Sequence, residues 1–232
     1  MKQTGSAYYL SLPGNAPQYA PENVTPLEDS PLAGKHLIFL GSSVTRGACA
    51  LRNSFADYIA VRNRCTVTKE AVSGTTLADD GPDSYISRLK RLEDPRADLF
   101  ICQLSTNDVL QRKPPGAVAD GFEEDGFDTK TVAGAIEYII AYARRTWHCP
   151  VVFYTCPRAA DGYAAMVALL HRIAEKWDIP VIDMWSDPAF RSLPAEYPNL
   201  YMADDVHPTR AGHLRLLTPC AETALYRIFR SE

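Results

Sequence analysis

The chain has 232 residues, 46% hydrophobic and 22% charged, which is enough apolar material for a single packed core without disulfide or metal staples. Its 24 Lys and Arg against 28 Asp and Glu leave a formal charge of −4 with no long run of one sign, which argues against a nucleic-acid partner. An aromatic content of 10% excludes disorder as the main theme, and no apolar stretch approaches the ~20 residues of a membrane helix.

The first 34 residues carry Pro13, Pro17, Pro21, Pro26 and Pro31, a spacing that opposes regular helix and predicts an extended arm, draped over the domain or over a neighbouring subunit. This segment lacks the apolar stretch of a secretory signal, so a cytoplasmic location is expected. From residue 35 a single domain is expected to run to the end. His36–Leu40 reads as a buried strand, Asn53–Asn63 as a helix and Thr66–Val72 as a weaker strand interrupted by Lys69 and Glu70. Ser84–Leu92 reads as a short helix, Asp98–Leu104 as a strong strand and Thr129–Trp147 as a long helix. Pro150–Thr155 and Pro180–Asp183 read as strands around a helix over Tyr163–Trp177, and Thr209–Phe229 as a final helix kinked at Pro219. Strand alternating with helix over five units predicts a five-stranded parallel sheet covered on both faces.

In such a sheet the loops at the carboxyl ends of the strands form the binding crevice. Those loops begin GSSVTRG at Gly41, SGTT at Ser73 and STND at Ser105, and the last ends ADDVHPTRAGH from Ala203. Their Ser, Gly, Asn, Asp and His suit nucleophilic acyl transfer, which needs a hydroxyl, a base, a carboxylate to orient the base, and donors for an oxyanion. Ser43 follows the first strand closely; Ser42 and Ser43 could equally do no more than cap the turn into a helix. Asp204 and His207 are three residues apart ahead of Pro208, which is expected in the first turn of the last helix. A carboxylate so placed can fix one imidazole nitrogen while the other faces a nucleophile; helix N-capping by Asp204 or Asp205 is the plain alternative. His36, His148, His171 and His213 read as surface or satisfied core residues. No metal site is expected, because His148 and Cys149 have no second ligand pair at zinc-like spacing. The six cysteines, at 49, 65, 102, 149, 156 and 220, read as reduced thiols.

Taken together, LGSSVTRG, AVSGTT, LSTNDV and DDVHPTRAGH resemble, in order, the four sequence blocks of the SGNH (GDSL-type) hydrolase superfamily, over roughly residues 35 to 228. The resemblance implies a flavodoxin-like three-layer α/β/α fold and esterase chemistry through an acyl-enzyme, with no cofactor. It implies Ser43 as nucleophile, His207 as base and Asp204 as the orienting acid, with the N–H groups of Ser43 and Gly74 and the amide of Asn107 as the oxyanion hole. Two positions depart from the pattern: Ser42 stands where the family has Asp, and Ser105 where it has Gly. The absence of G-x-S-x-G separates the chain from the α/β-hydrolase fold. A small-molecule ester is the expected partner, with neither nucleic acid nor membrane. Short acyl groups on a carbohydrate or small molecule are the expected substrates, and a lysophospholipase- or thioesterase-like activity or a non-catalytic binding module are the alternatives. The polar stretch 110–128 and the segment 184–203, with Trp185, Phe190, Tyr197 and Tyr201, are expected to shape the pocket.

Overall fold

Uninterrupted apolar runs build the centre of the sheet, as expected where helices cover both faces. In a computed structural model, which describes residues 6–191 and 199–230, β1 (His36–Gly41), β2 (Thr66–Ala71), β3 (Leu99–Gln103), β4 (Val151–Tyr154) and β5 (Val181–Ile182) form one parallel sheet in the order β2-β1-β3-β4-β5. Leu37 to Leu40, Leu99 to Cys102 and Val152 to Tyr154 are fully buried. β2 is an edge strand and only half buried, which explains how Lys69 and Glu70 are accommodated in it.

Ten α-helical segments accompany the sheet among the described residues: α1 (Ser6–Ser11), α2 (Ser43–Arg46), α3 (Phe55–Asn63), α4 (Tyr85–Lys90), α5 (Asn107–Leu110), α6 (Val132–Trp147), α7 (Tyr163–Trp177), α8 (Pro188–Arg191), α9 (Arg210–Gly212) and α10 (Thr218–Arg230). α4, α6 and α7 pack together on one face, and α3 and α10 on the other, giving three layers. Local chemistry sets the starts: Ser54 and Asp57 form a capping box ahead of α3, Ser84 accepts the Ser87 N–H, and Thr131 accepts the Gly134 N–H.

Two local expectations are corrected. The N-terminal segment is not extended throughout. α1 forms before the first proline, and single 3₁₀ turns begin at Pro13, Pro17 and Pro21, because proline suits the first position of a helical turn. It lies on its own domain: Leu12, Tyr19 and Leu32 are buried, and the Tyr58 hydroxyl donates to the Tyr19 carbonyl at 2.6 Å. The last helix does not bend at Pro219 itself. A π-helical turn over His213–Leu217 joins α9 to α10, with the Thr218 N–H reaching the His213 carbonyl, and Pro219 falls in the first turn of α10, where a missing N–H costs little.

Candidate active site

The chain runs from β1 to β2 on one side and then to β3 on the other, so the strand order reverses between β1 and β3. Crevices in parallel sheets open at such a point. The turn after β1 is tight. A Cβ on Gly41 would lie 1.7 Å from the Thr45 hydroxyl, so only glycine lets α2 fold back on the strand. Gln103, at the end of β3, fixes this turn: its Oε1 accepts from the N–H groups of Ser42 (2.9 Å) and Thr45 (3.2 Å) and from the Thr45 hydroxyl (2.7 Å). Ser43 therefore opens α2 with a nearly buried side chain, 7% exposed, and its N–H meets no acceptor among the described residues. Ser42 precedes the helix, but its side chain makes no capping bond.

A β-bridge between Met202 and Pro208, closed by Ala203 N–H to the His207 carbonyl at 2.8 Å, brings Asp204 and His207 onto one turn. Asp204 Oδ1 accepts the N–H groups of Val206 (2.8 Å) and His207 (2.7 Å), and its Oδ2 lies 2.9 Å from His207 Nδ1. His207 Nε2 lies 2.8 Å from Ser43 Oγ. Neither aspartate caps a helix; Thr209 caps α9 instead, so Pro208 lies before the helix rather than in its first turn. The Thr209 hydroxyl bonds both the Gly212 N–H and the Leu200 carbonyl, which fixes the helix start one residue later.

Burial opposes charge on His207, but the hydrogen bond and charge of Asp204, with the adjacent Cys49 thiol, outweigh it and hold the imidazole up to about 9. Burial also opposes ionisation of Asp204; the His207 ring and the two backbone N–H groups outweigh it and bring the carboxyl down to about 2. Hydroxyl, imidazole and carboxylate form one hydrogen-bonded line along which a proton can leave Ser43.

Gly74 sits in an exposed turn at φ +83°, its N–H unclaimed among the described residues. Asp108 positions that turn by accepting the Leu77 and Ala78 N–H groups at 2.9 and 3.0 Å. Burial raises the Asp108 carboxyl to about 6 in spite of these bonds. The Asn107 amide donates to the Thr75 carbonyl (2.9 Å) and, more weakly, to Ser105 Oγ (3.2 Å). It thus borders the Gly74 turn. Ser42 and Ser105, the two departures from the family pattern, both border the buried Tyr85 phenol, and the Ser42 and Tyr85 hydroxyls have no hydrogen-bond partner among the described residues.

Sequence reasoning missed several supports. Arg88 of α4 is buried at 3% and ties together the Gly41 carbonyl, the Glu70 carbonyl and carboxylate, the Asp83 carbonyl and the Thr75 hydroxyl. Gln103 lies inside the strand expected over Asp98–Leu104 and Asp108 inside the STND segment, and nothing local distinguishes their tasks. Cys49, in the loop after α2, is buried beside His207 and Asp204. The other histidines lie elsewhere. His36 pairs with Asp94 at 2.7 Å and His171 with Asp183 at 3.1 Å, and His148 ends α6. His213 is fully buried, its Nδ1 accepting the Phe55 N–H at 3.2 Å, but its Nε2 lacks a partner among the described residues; burial lowers it to about 3. All six cysteines are free thiols. Tyr197 lies outside the described residues, Phe190 is buried, and Trp185 helps line a cavity of about 380 Å³ with Pro157, Arg158, Ala159 and Asp205. No helix among the described residues is long and apolar enough to cross a membrane.

The model of the GDSL-like lipase/acylhydrolase family matches residues 39–215. No curated protein matches the chain in sequence. Among solved structures, a protein from Lactobacillus plantarum aligns with a TM-score of 0.66 at 19% identity, over 83% of this chain and 97% of its own. A protein assigned as a GDSL-like lipase from Bacteroides ovatus aligns with a TM-score of 0.65 at 14% identity, over 84% and 99%. The acetyl xylan esterase AlAXEase aligns with a TM-score of 0.57 at 13% identity, over 82% and 99%. At these identities the likeness is one of fold.

Proposed function

Because the chain belongs to the GDSL-like lipase/acylhydrolase family, serine hydrolases acting on ester bonds, we propose that Ser43, His207 and Asp204 carry out the hydrolysis of short-acyl esters, acetyl esters of a carbohydrate or small molecule above all. The observation that carries this reading is the 2.8 Å contact between Ser43 Oγ and His207 Nε2, with Asp204 on the opposite ring nitrogen. Neutral His207 takes the Ser43 proton as Oγ attacks the ester carbonyl. The resulting imidazolium, stabilised by Asp204, then gives that proton to the departing alcohol. The acyl-enzyme is hydrolysed by water activated in the same way. The N–H groups of Ser43 and Gly74 and one N–H of the Asn107 amide receive the tetrahedral oxyanion, each donor worth about 2.7–4 kcal/mol in the transition state.

The cavity beside Asp205 supports the substrate class. Trp185 and Arg158 line it, an aromatic ring and a hydrogen-bond donor, residue types that suit a sugar better than an alkyl chain. A second reading, longer acyl groups of the lysophospholipase or thioesterase kind, is favoured by one observation: a cavity of about 420 Å³ beside α5, walled by Val109, Met166 and Leu169. A panel of esters of increasing acyl length separates the two. Turnover falling beyond the shortest acyl groups supports the first, and turnover rising with length supports the second. Ser43→Ala abolishes turnover and fluorophosphonate labelling while Ser42→Ala retains both; labelling that persists in Ser43→Ala overturns the assignment.

A further inference from the structure

The turn that holds Asp204 and His207 faces a third metal-binding side chain from a distant part of the sequence. We propose that Cys49, Asp204 and His207 form a site for a thiophilic divalent cation of the zinc class, and that occupying it draws His207 away from Ser43 and reversibly silences the enzyme. Cys49 Sγ, a carboxylate oxygen of Asp204 and a ring nitrogen of His207 all lie within 4.8 Å of one another, and no other such trio occurs among the described residues. Sulfur, nitrogen and oxygen are the donors that zinc takes in four-coordinate sites, and three protein ligands leave one position open. This trio runs against the expectation from sequence spacing, which sees only ligands close together along the chain.

The three ligands are held in place before any ion arrives. The Cys49 carbonyl accepts from Asn15 Nδ2 at 2.8 Å, and the residue packs with Leu12, Ala203 and Tyr9. The two backbone N–H groups that fix Asp204 both fall on Oδ1, leaving Oδ2 toward the ring. Such supporting bonds orient ligands in metal sites. The side chains of His207 and Asp204 are 25% and 34% exposed, so an ion from solution can reach them. In acyl transfer Cys49 makes and breaks no bond.

As the bonds to the metal form, the Cys49 thiol and the His207 ring each release a proton to solvent and donate the lone pair so freed, while the Asp204 carboxylate donates one it already has; no group is oxidised or reduced. Donors held tetrahedrally at ~2.0–2.3 Å from one zinc ion stand about 3.3–3.7 Å apart, so the 2.9 Å pairing of Asp204 with the ring has to open, the imidazole turns, and its bond to Ser43 is lost. The silencing rests on the acyl-transfer reading above; the binding does not.

The test titrates the full chain with Co²⁺ as a spectroscopic probe and Zn²⁺ as competitor. Wild type is expected to give a thiolate-to-cobalt charge-transfer band that Zn²⁺ abolishes; Cys220→Ala keeps the band and Cys49→Ala lacks it. In parallel, Zn²⁺ blocks ester turnover and fluorophosphonate labelling of wild type, and EDTA restores both. With inhibition read as a fraction of each protein's own metal-free turnover, Cys49→Ala requires about tenfold more Zn²⁺ or higher for the same effect. Should Cys49→Ala fold poorly, Cys49→Ser replaces it, with the Zn²⁺-induced rise in Tm compared between variant and wild type. A wild type without the band, a band that survives loss of Cys49, or equal Zn²⁺ inhibition of both proteins overturns the proposal. A chain that shows the band but hydrolyses no ester overturns the acyl-transfer reading and leaves the metal site standing.

Discussion

His207 shares its two ring nitrogens between Asp204 and Ser43, and the way Asp204 holds it sets the pH behaviour of the site. A base must be neutral to accept the Ser43 proton, so with His207 held up to about 9, kcat/KM for ester hydrolysis should climb with pH and level off near that value. Asp204→Asn removes the charge that lifts the imidazole. The rising limb should move down toward the ordinary histidine range, with a plateau lower by as much as about 10⁴, whereas Asp205→Asn should leave the profile nearly unchanged. A pH–rate series on the three proteins checks this. The same shifts act on stability. The His207 contribution is complete below the ordinary imidazole value of 6.5 and is lost as pH rises through about 9. The Asp204 contribution is complete above the ordinary carboxyl value of 3.8 and is lost as pH falls through about 2. Asn107 ties the Thr75 carbonyl and, in the proposed mechanism, also donates to the oxyanion. Asn107→Ala should lower kcat by about 10²–10³ with KM nearly unchanged, alongside a modest fall in Tm. A fall in Tm alone, with full turnover per folded molecule, would assign Asn107 to structure only.

At the scale of elements, the site depends on how strand ends are tied to one another. Arg88 reaches from α4 to the ends of β1 and β2 and to the turn after β2, and its side chain is 2% exposed. Arg88→Met keeps the apolar stem but strands several buried acceptors, and should destabilise the fold by about 3 kcal/mol in urea unfolding. Arg91→Met, whose side chain is 56% exposed and 4.0 Å from Asp83, should change stability by less than about 0.5 kcal/mol. Because the Gly74 turn hangs on the same guanidinium through Thr75, loss of Arg88 should also reduce turnover in the molecules that remain folded.

Across the whole molecule, the N-terminal segment acts as a strap over the site loops. Asn15 is 3% exposed; its amide donates to the carbonyls of Tyr9 and Cys49, each at 2.8 Å, and its Oδ1 accepts the Arg210 N–H at 2.8 Å. One side chain thus joins the segment before the domain, the loop after α2 and the start of α9. Gly14 makes the approach possible, since a Cβ there would lie 1.8 Å from the Leu200 carbonyl oxygen. Asn15→Ala should cost about 2 kcal/mol and lower kcat by loosening the turn that bears His207, while the exposed Asn23→Ala should do neither. Thermal unfolding and steady-state kinetics on the two variants decide it.

Much of this architecture is legible in the order of residue types. Continuous apolar runs mark β1, β3 and β4 because a parallel sheet is buried on both faces, and helix periodicity marks α6 and α7, the latter to its ends at Tyr163 and Trp177. The Asp-x-x-His spacing is legible too, since three residues cannot separate far within one turn. Element ends were less so: Ser54, Ser84 and Thr131 read as helical residues but act as caps, a distinction made by backbone angles that composition does not encode. The helix of the N-terminal segment was hidden by the prolines that follow it, and the π turn by a proline that draws attention to itself rather than to the turn before it. What lay wholly beyond the linear reading is convergence between distant segments: Arg88 beneath the strand ends, Gln103 behind the Ser43 turn, Asn15 across three loops, and Cys49 beside His207. Periodicity reports which face of an element is apolar. Which polar side chains meet inside is decided by the packing of whole layers against one another, and that exists only once the chain has folded.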